Sequence, residues 1–186
     1  MRADARRNYA RLLAVAEQEV AAHGADASLE QIARTAGVGS ATVRRHFPSR
    51  HALLEAVFRE RVGALCAHAQ ELEGRPDPRA ALLAWLSAVT ASAATIRGLA
   101  IALNRDLTED PAAVHEHCAT AQLTEAGQPL VRRAADAGAL TPGVTVTDVL
   151  TLITGIALAT EHHPDPAAEA TRLLDLTLAG VSPHGR

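Results

Sequence analysis

The chain has 186 residues, of which 41 are alanine and only four are Tyr, Phe or Trp: Tyr9, Phe47, Phe58 and Trp85. Sheets draw on branched and aromatic residues that are thin here, whereas alanine and leucine favour helix, so an all-β sandwich is excluded and an all-α fold is expected. The net charge of −3 argues against a protein that coats nucleic acid, but it divides unevenly: residues 1–60 carry nine arginines against seven acids (+2), and residues 61–186 carry nine against fourteen (−5).

The first helix is expected from about Asp4 to His23, with Leu12, Leu13, Ala16 and Val20 at helical spacing, and it stops at Gly24. Ser28 begins Ser-Leu-Glu-Gln and caps a short helix over Leu29–Ala36. Gly37-Val38-Gly39 breaks it, and Ser40 is expected to cap a second short helix running through His46. Pro48-Ser49 ends that one, and Ser49 caps a longer helix from Arg50 to Glu73. Gly74-Arg-Pro-Asp-Pro78 is a loop. Further helices are expected at roughly 79–95, 97–106, 111–137, 147–162 and 166–179. Pro111 suits a first turn, whereas Gly127 and Pro129 should kink or interrupt their helix. The expected architecture is all-α with about nine helices, divided into residues 1–60 and residues 61–186. The helix from Arg50 joins the two directly.

Two cysteines, Cys66 and Cys118, are too few for a disulfide framework and fit a reducing compartment. The amino-terminal residues lead into an amphipathic stretch, and no apolar run approaches membrane-spanning length. A cytoplasmic protein with no membrane partner is expected.

The chemistry concentrates in Leu29–Phe47. Two short helices joined by a glycine-containing turn are the geometry of a helix-turn-helix. Ala33 is small where the helices cross, Gly37 suits a left-handed turn, and Ile32, Val38, Val43 and Phe47 form a small core. At about 100° per residue, Val43 and Phe47 share one direction, while Ala41 and Arg45 point nearly opposite, flanked by Thr42 and Arg44. That outer face is small, hydroxylated and cationic. Arginine can donate bidentately to guanine, and alanine or threonine methyls can meet a thymine methyl. Ser28, Ser40, Thr42 and Arg50 stand at or near helix starts, where hydroxyls and cations hold phosphates. The plainer alternative is a set of solvated arginines; the Ala33–Gly37–Val43 spacing favours DNA.

Residues 5–60 resemble the amino-terminal domain of the tetracycline-repressor (TetR) family of transcriptional regulators. The resemblance rests on Ala27-Ser-Leu-Glu-Gln-Ile-Ala, Ala36-Gly-Val-Gly-Ser-Ala-Thr-Val and His46-Phe-Pro-Ser-Arg-His-Ala-Leu-Leu-Glu-Ala-Val-Phe58. The family commonly has Tyr, which touches a phosphate, where Arg44 stands. Arg44 either takes over that contact or reads a base. His46 matches a frequent family choice, either buried, phosphate-linked or base-reading. The resemblance implies a homodimer on a roughly palindromic double-stranded DNA operator. It also implies a carboxy-terminal helical body that holds a small-molecule effector and forms the dimer interface.

In the body, Val149, Leu150, Ile153, Ile156, Ala157 and Thr160 recur at helical spacing, as do Ala170, Leu173, Leu174, Thr177 and Leu178. Either set can form a four-helix seam with a symmetry mate or pack on its own subunit. Leu65, Ala69, Leu86, Val89, Leu103, Cys118, Ala119 and Gln122 are candidates for a pocket, with Trp85 and His115 nearby. Their aliphatic character suits an apolar or amphipathic ligand. His115 and His117 lie about 200° apart on a helix and cannot share an ion, and His115 with Cys118 lacks further ligands, so no metal and no cofactor is expected. The expected function is a repressor whose operator affinity falls when effector enters the body. The alternatives are a ligand-independent regulator or an activator of the same fold, and an all-α enzyme. No nucleophile–base set, His-Glu-x-x-His or glycine-rich phosphate loop supports an enzyme.

Overall fold

The computed structural model describes residues 2–23, 27–95 and 119–181. The expected helix at 97–106, the start of the one at 111–137 and Pro111 lie outside the described residues. Eight α-helices account for the regular structure described. By their contacts the residues divide between Arg61 and Val62 into two units.

The first unit comprises α1 (Arg2–His23), α2 (Leu29–Ala36), α3 (Ser40–His46) and the opening turns of α4 (Arg50–Glu73). Its core is Leu12, Leu13, Ala16 and Val20 of α1, Ile32, Ala33 and Ala36 of α2, Val43 and Phe47 at α3, and Leu53 and Val57 of α4. Each buried Leu, Ile, Val or Phe contributes roughly 1.5–3 kcal/mol by leaving water. Local chemistry sets the boundaries. The Gln31 N–H donates to the Ser28 hydroxyl (3.3 Å) at the start of α2. Gly37, at φ 64°, ends α2 in the left-handed region that favours glycine, and the Val38 N–H returns to the Ala33 carbonyl (3.0 Å). The Ala52 N–H donates to the Ser49 hydroxyl (3.1 Å), capping α4. The Arg11 guanidinium donates to the Ala36 carbonyl, tying α1 to the end of α2.

The cap of α3 differs from expectation. Gly39, in extended conformation and without a side-chain bond, holds that place, and Ser40 is the first helical residue. The Thr42 and Val43 N–H groups bond the Gly39 carbonyl instead (2.9 and 3.3 Å), which leaves the Ser40 hydroxyl outside the cap.

The second unit contains the rest of α4, α5 (Pro78–Thr95), α6 (Ala119–Asp136), α7 (Val146–Thr160) and α8 (Pro166–Val181). Helix α5 is central, packed on α6, α7 and α8, and α7 also packs on α6 and α8. Trp85 of α5 is fully buried, and its indole N–H donates to the Leu65 carbonyl of α4 (3.1 Å). Gly127 of α6 makes room for the indole: a Cβ there would fall 2.3 Å from Trp85 Cη2.

Helix α6 runs unbroken through Gly127 and Pro129, which corrects the expected interruption. Its face of Leu123, Gly127, Leu130, Val131 and Ala134 is buried along its length, and that packing outweighs the helix bond lost at the proline. The Arg133 guanidinium reaches from α6 to the Glu73 carbonyl and, at 2.7 Å, to the Arg75 carbonyl. It thereby satisfies an acceptor that the end of α4 leaves open, at Glu73, and another in the loop that follows. Asp77 caps α5 through the Ala80 N–H (3.0 Å). A capping box of Thr145 and Asp148 starts α7.

Candidate nucleic-acid interface

Helix α3 presents the side that its core residues leave free. Val43 is buried, whereas Ser40, Ala41, Arg44 and Arg45 are exposed and Thr42 is half-buried. The arginines are held differently. Arg44 Nη2 donates to Glu30 Oε1 in the first turn of α2 at 3.3 Å, with 59% and 70% of the two side chains exposed. Arg45 has no ion-pair partner among the described residues and stands on the side opposite Val43. His46 is half-buried, its ring 5.5 Å from Tyr9 and 6.5 Å from Phe47 between centroids, so the imidazole forms the margin of the core. Tyr9, which also stands against Phe47, escaped sequence reasoning because its partners lie on a helix distant in the chain.

Ser28 is half-buried with its oxygen committed to the α2 cap, and its own N–H donates to Glu19 Oε1 (3.1 Å). Its hydroxyl proton remains available to an external acceptor. Arg50 is exposed at the start of α4. Small side chains, a hydroxyl and Arg45 thus stand outward on α3, braced from behind by Val43, Phe47 and Ile32. A helix held this way can enter a major groove, donating from arginine to base edges and from its flanks to phosphates.

In the second unit, Leu65, Ala69, Trp85, Leu86 and Val89 are buried, and Ala119 and Gln122 are half-buried. Leu103, His115 and Cys118 lie outside the described residues. The Cys66 thiol donates to the Gln122 carbonyl (3.6 Å), and burial, then the charge of Glu125, pushes its pKa up. This thiol stays protonated and unreactive at neutral pH. A small apolar hollow between α5, the end of α6 and α8 is lined by Leu82, Leu83, Leu140 and Leu178, among others; none belonged to the expected pocket set.

On α7, Val149, Leu150, Ile153, Ile156, Ala157 and Thr160 are all buried within the single chain, as are Ala170 and Leu174 of α8. Leu173, Thr177 and Leu178 are half-buried. The outer side of the same two helices carries exposed Thr151, Gly155 and Ala159, half-buried Leu152 and Leu158, and Leu176, 59% exposed. Sequence reasoning missed this second apolar side. Among the described residues, no cluster of metal-ligating side chains forms and no helix is long and apolar enough to cross a membrane.

A helix-turn-helix head with a cationic reading helix, followed by an all-helical body, defines a DNA-binding transcription regulator. The family model for bacterial regulatory proteins of the tetR family matches residues 12–57, and that for the carboxy-terminal domain of SbtR-like transcriptional regulators matches residues 77–183. The chain belongs to the TetR family of transcriptional regulators. It is similar to a TetR transcriptional regulator from Streptomyces coelicolor at 37% identity, over 94% of this chain and 98% of that one, with a TM-score of 0.72. It is also similar to a TetR transcription regulatory protein from Mycobacterium vanbaalenii at 31% identity, over 97% and 98% of the chains, with a TM-score of 0.67. The fold is shared with the regulator FadR of Bacillus subtilis, solved in complex with stearoyl-CoA, at 19% identity over 93% and 99% of the chains and a TM-score of 0.57. No curated protein matches the chain.

Proposed function

We propose that this protein is a cytoplasmic, ligand-responsive repressor that binds a palindromic operator as a homodimer and leaves it when a small apolar or amphipathic molecule enters the second unit. The observation that carries the reading is the outward face of α3, where Arg45 stands opposite buried Val43 with Ala41 and Ser40 beside it. Arg45 is the base reader; Ser28, Ser40, Thr42 and Arg50 serve the backbone. No catalytic role is assigned to any side chain.

The effector reading draws on the aliphatic surroundings of Leu65, Ala69, Leu86 and Val89 and on the stearoyl-CoA bound by the FadR relative. Effector and operator would be linked by a coupling free energy of about 1–3 kcal/mol, equivalent to roughly 5- to 150-fold in operator affinity. Among the described residues, helix α4 is the element that runs through both units, and it would carry the coupling.

The test is a gel shift with DNA from upstream of the protein's own coding region, with and without cell extracts. A band at low salt that extract weakens is expected. Arg45→Ala should lower affinity for the retarded fragment on the order of ten- to a hundredfold, as the loss of one bidentate base contact would. Absence of any band overturns the regulator reading, and a band unmoved by every extract overturns the effector.

A further inference from the structure

The two arginines at the end of α3 differ in what they touch before any DNA arrives. Arg45 has no ion-pair partner among the described residues, whereas Arg44 already leans on Glu30 through one contact of 3.3 Å. We propose that Glu30 is a specificity-determining residue that holds Arg44 in reserve: the cation stays on the carboxylate while the head rides on arbitrary DNA, and passes to a phosphate only when α3 is seated in its operator. The proposal rests on the DNA-reading assignment above and adds to it a role for an acidic residue.

The balance of forces supports such an exchange. An exposed pair joined by a single contact is worth at most about fivefold in an equilibrium, so it competes with a loosely placed phosphate but not with a fixed one. A guanidinium on a fixed phosphate forms a short, charge-assisted and often bidentate pair, which requires register. On arbitrary DNA the head is held by counterion release and no register is imposed. In the operator, base contacts from α3 impose it. Glu30 can lose Arg44 without collapse, because it lies in the first turn of α2, where the free amide groups and the helix dipole favour a negative charge. The first helix of a helix-turn-helix crosses the DNA backbone, which puts Glu30 and Arg44 on the side where a phosphate is the nearest competitor.

The exchange predicts crossed salt dependences, measured on the full-length protein by fluorescence anisotropy with operator DNA and with a scrambled duplex of equal length. Each phosphate neutralised adds about 0.9 to the slope of log affinity against log salt. Glu30→Ala should steepen the slope on scrambled DNA by about that amount, and raise affinity for it by up to about fivefold, while the operator slope stays put. Arg44→Ala should flatten the operator slope by the same amount and leave the scrambled slope unchanged. In Glu30→Ala/Arg44→Ala the gain on scrambled DNA should vanish. Equal changes on both DNAs, no change on either, or a gain that survives in the double variant would each overturn the proposal. If the parent protein bound neither DNA, the DNA-reading assignment itself would have failed, a result distinct from all of these.

Discussion

Gly127 shows how one contact reverses a general rule. An interior helical glycine replaced by alanine ordinarily gains about 0.5–1 kcal/mol, but here the added methyl would meet the Trp85 ring at 2.3 and 2.6 Å and Val146 at 3.1 Å. Overpacking of this kind costs about 1–3 kcal/mol, so Gly127→Ala is expected to lower the denaturation midpoint of the protein. Trp85→Phe removes the ring atoms that the methyl strikes, so the alanine should cost clearly less in that background. Additive effects of the two changes would break the account. Trp85→Phe alone also leaves the Leu65 carbonyl without its indole donor, so it is destabilising in its own right.

At the scale of the element, helix ends are where side chains decide most. Asp148 accepts from the Thr145 hydroxyl (2.6 Å) and from the Thr145 N–H (2.8 Å), and these bonds, the hydroxyl first, hold its carboxyl below the usual carboxylate range. A carboxyl whose folded pKa is depressed stabilises the fold above its unfolded value and loses that contribution as pH falls through the folded one. The melting temperature of Asp148→Ala should therefore lie below that of the parent at pH 7, and the gap should close in acid, below about pH 4. A gap that persists in acid would mean that the capping box contributes through something other than charge. The same end chemistry made most of the head legible beforehand. Ser28, Gly37 and Ser49 announce the limits of α2 and α4, because a cap is a local event that needs only neighbouring residues. Ser40 misled because the extended backbone of Gly39 takes the cap position without a side-chain bond. Gly127 and Pro129 misled because they look like breakers to any local rule; the reason for the glycine is an indole on another helix.

For the whole molecule, two sides of α7 compete to face inward. Val149, Ile153 and Ile156 make one apolar side and Leu152, Gly155 and Leu158 another, so hydropathy alone cannot rank them. The packing of α5, α6 and α8 buries the first. The proposed dimer then uses what one subunit leaves open: Leu173 and Leu176 of α8 with Leu152, Gly155, Leu158 and Ala159 of α7, where glycine and alanine permit close approach. In a two-fold interface every substitution counts twice, and Leu176→Arg would put two charges into the seam. It is expected to sediment as a monomer at concentrations where the parent is a dimer. Its operator affinity should drop by at least about tenfold, because each half-site is then bound without help from its neighbour. A dimeric Leu176→Arg with normal operator binding would assign that surface elsewhere.

Trp85 is the sole tryptophan of the chain, sealed from water with its indole nitrogen on a backbone carbonyl of α4 and its ring against α6. Such an indole emits toward the blue, and every photon it gives comes from the junction of three helices. The protein therefore carries its own optical probe, silent about the surface and sensitive to any shift of α4 against α5. A titration of effector or operator can be followed by intrinsic emission without attaching a dye.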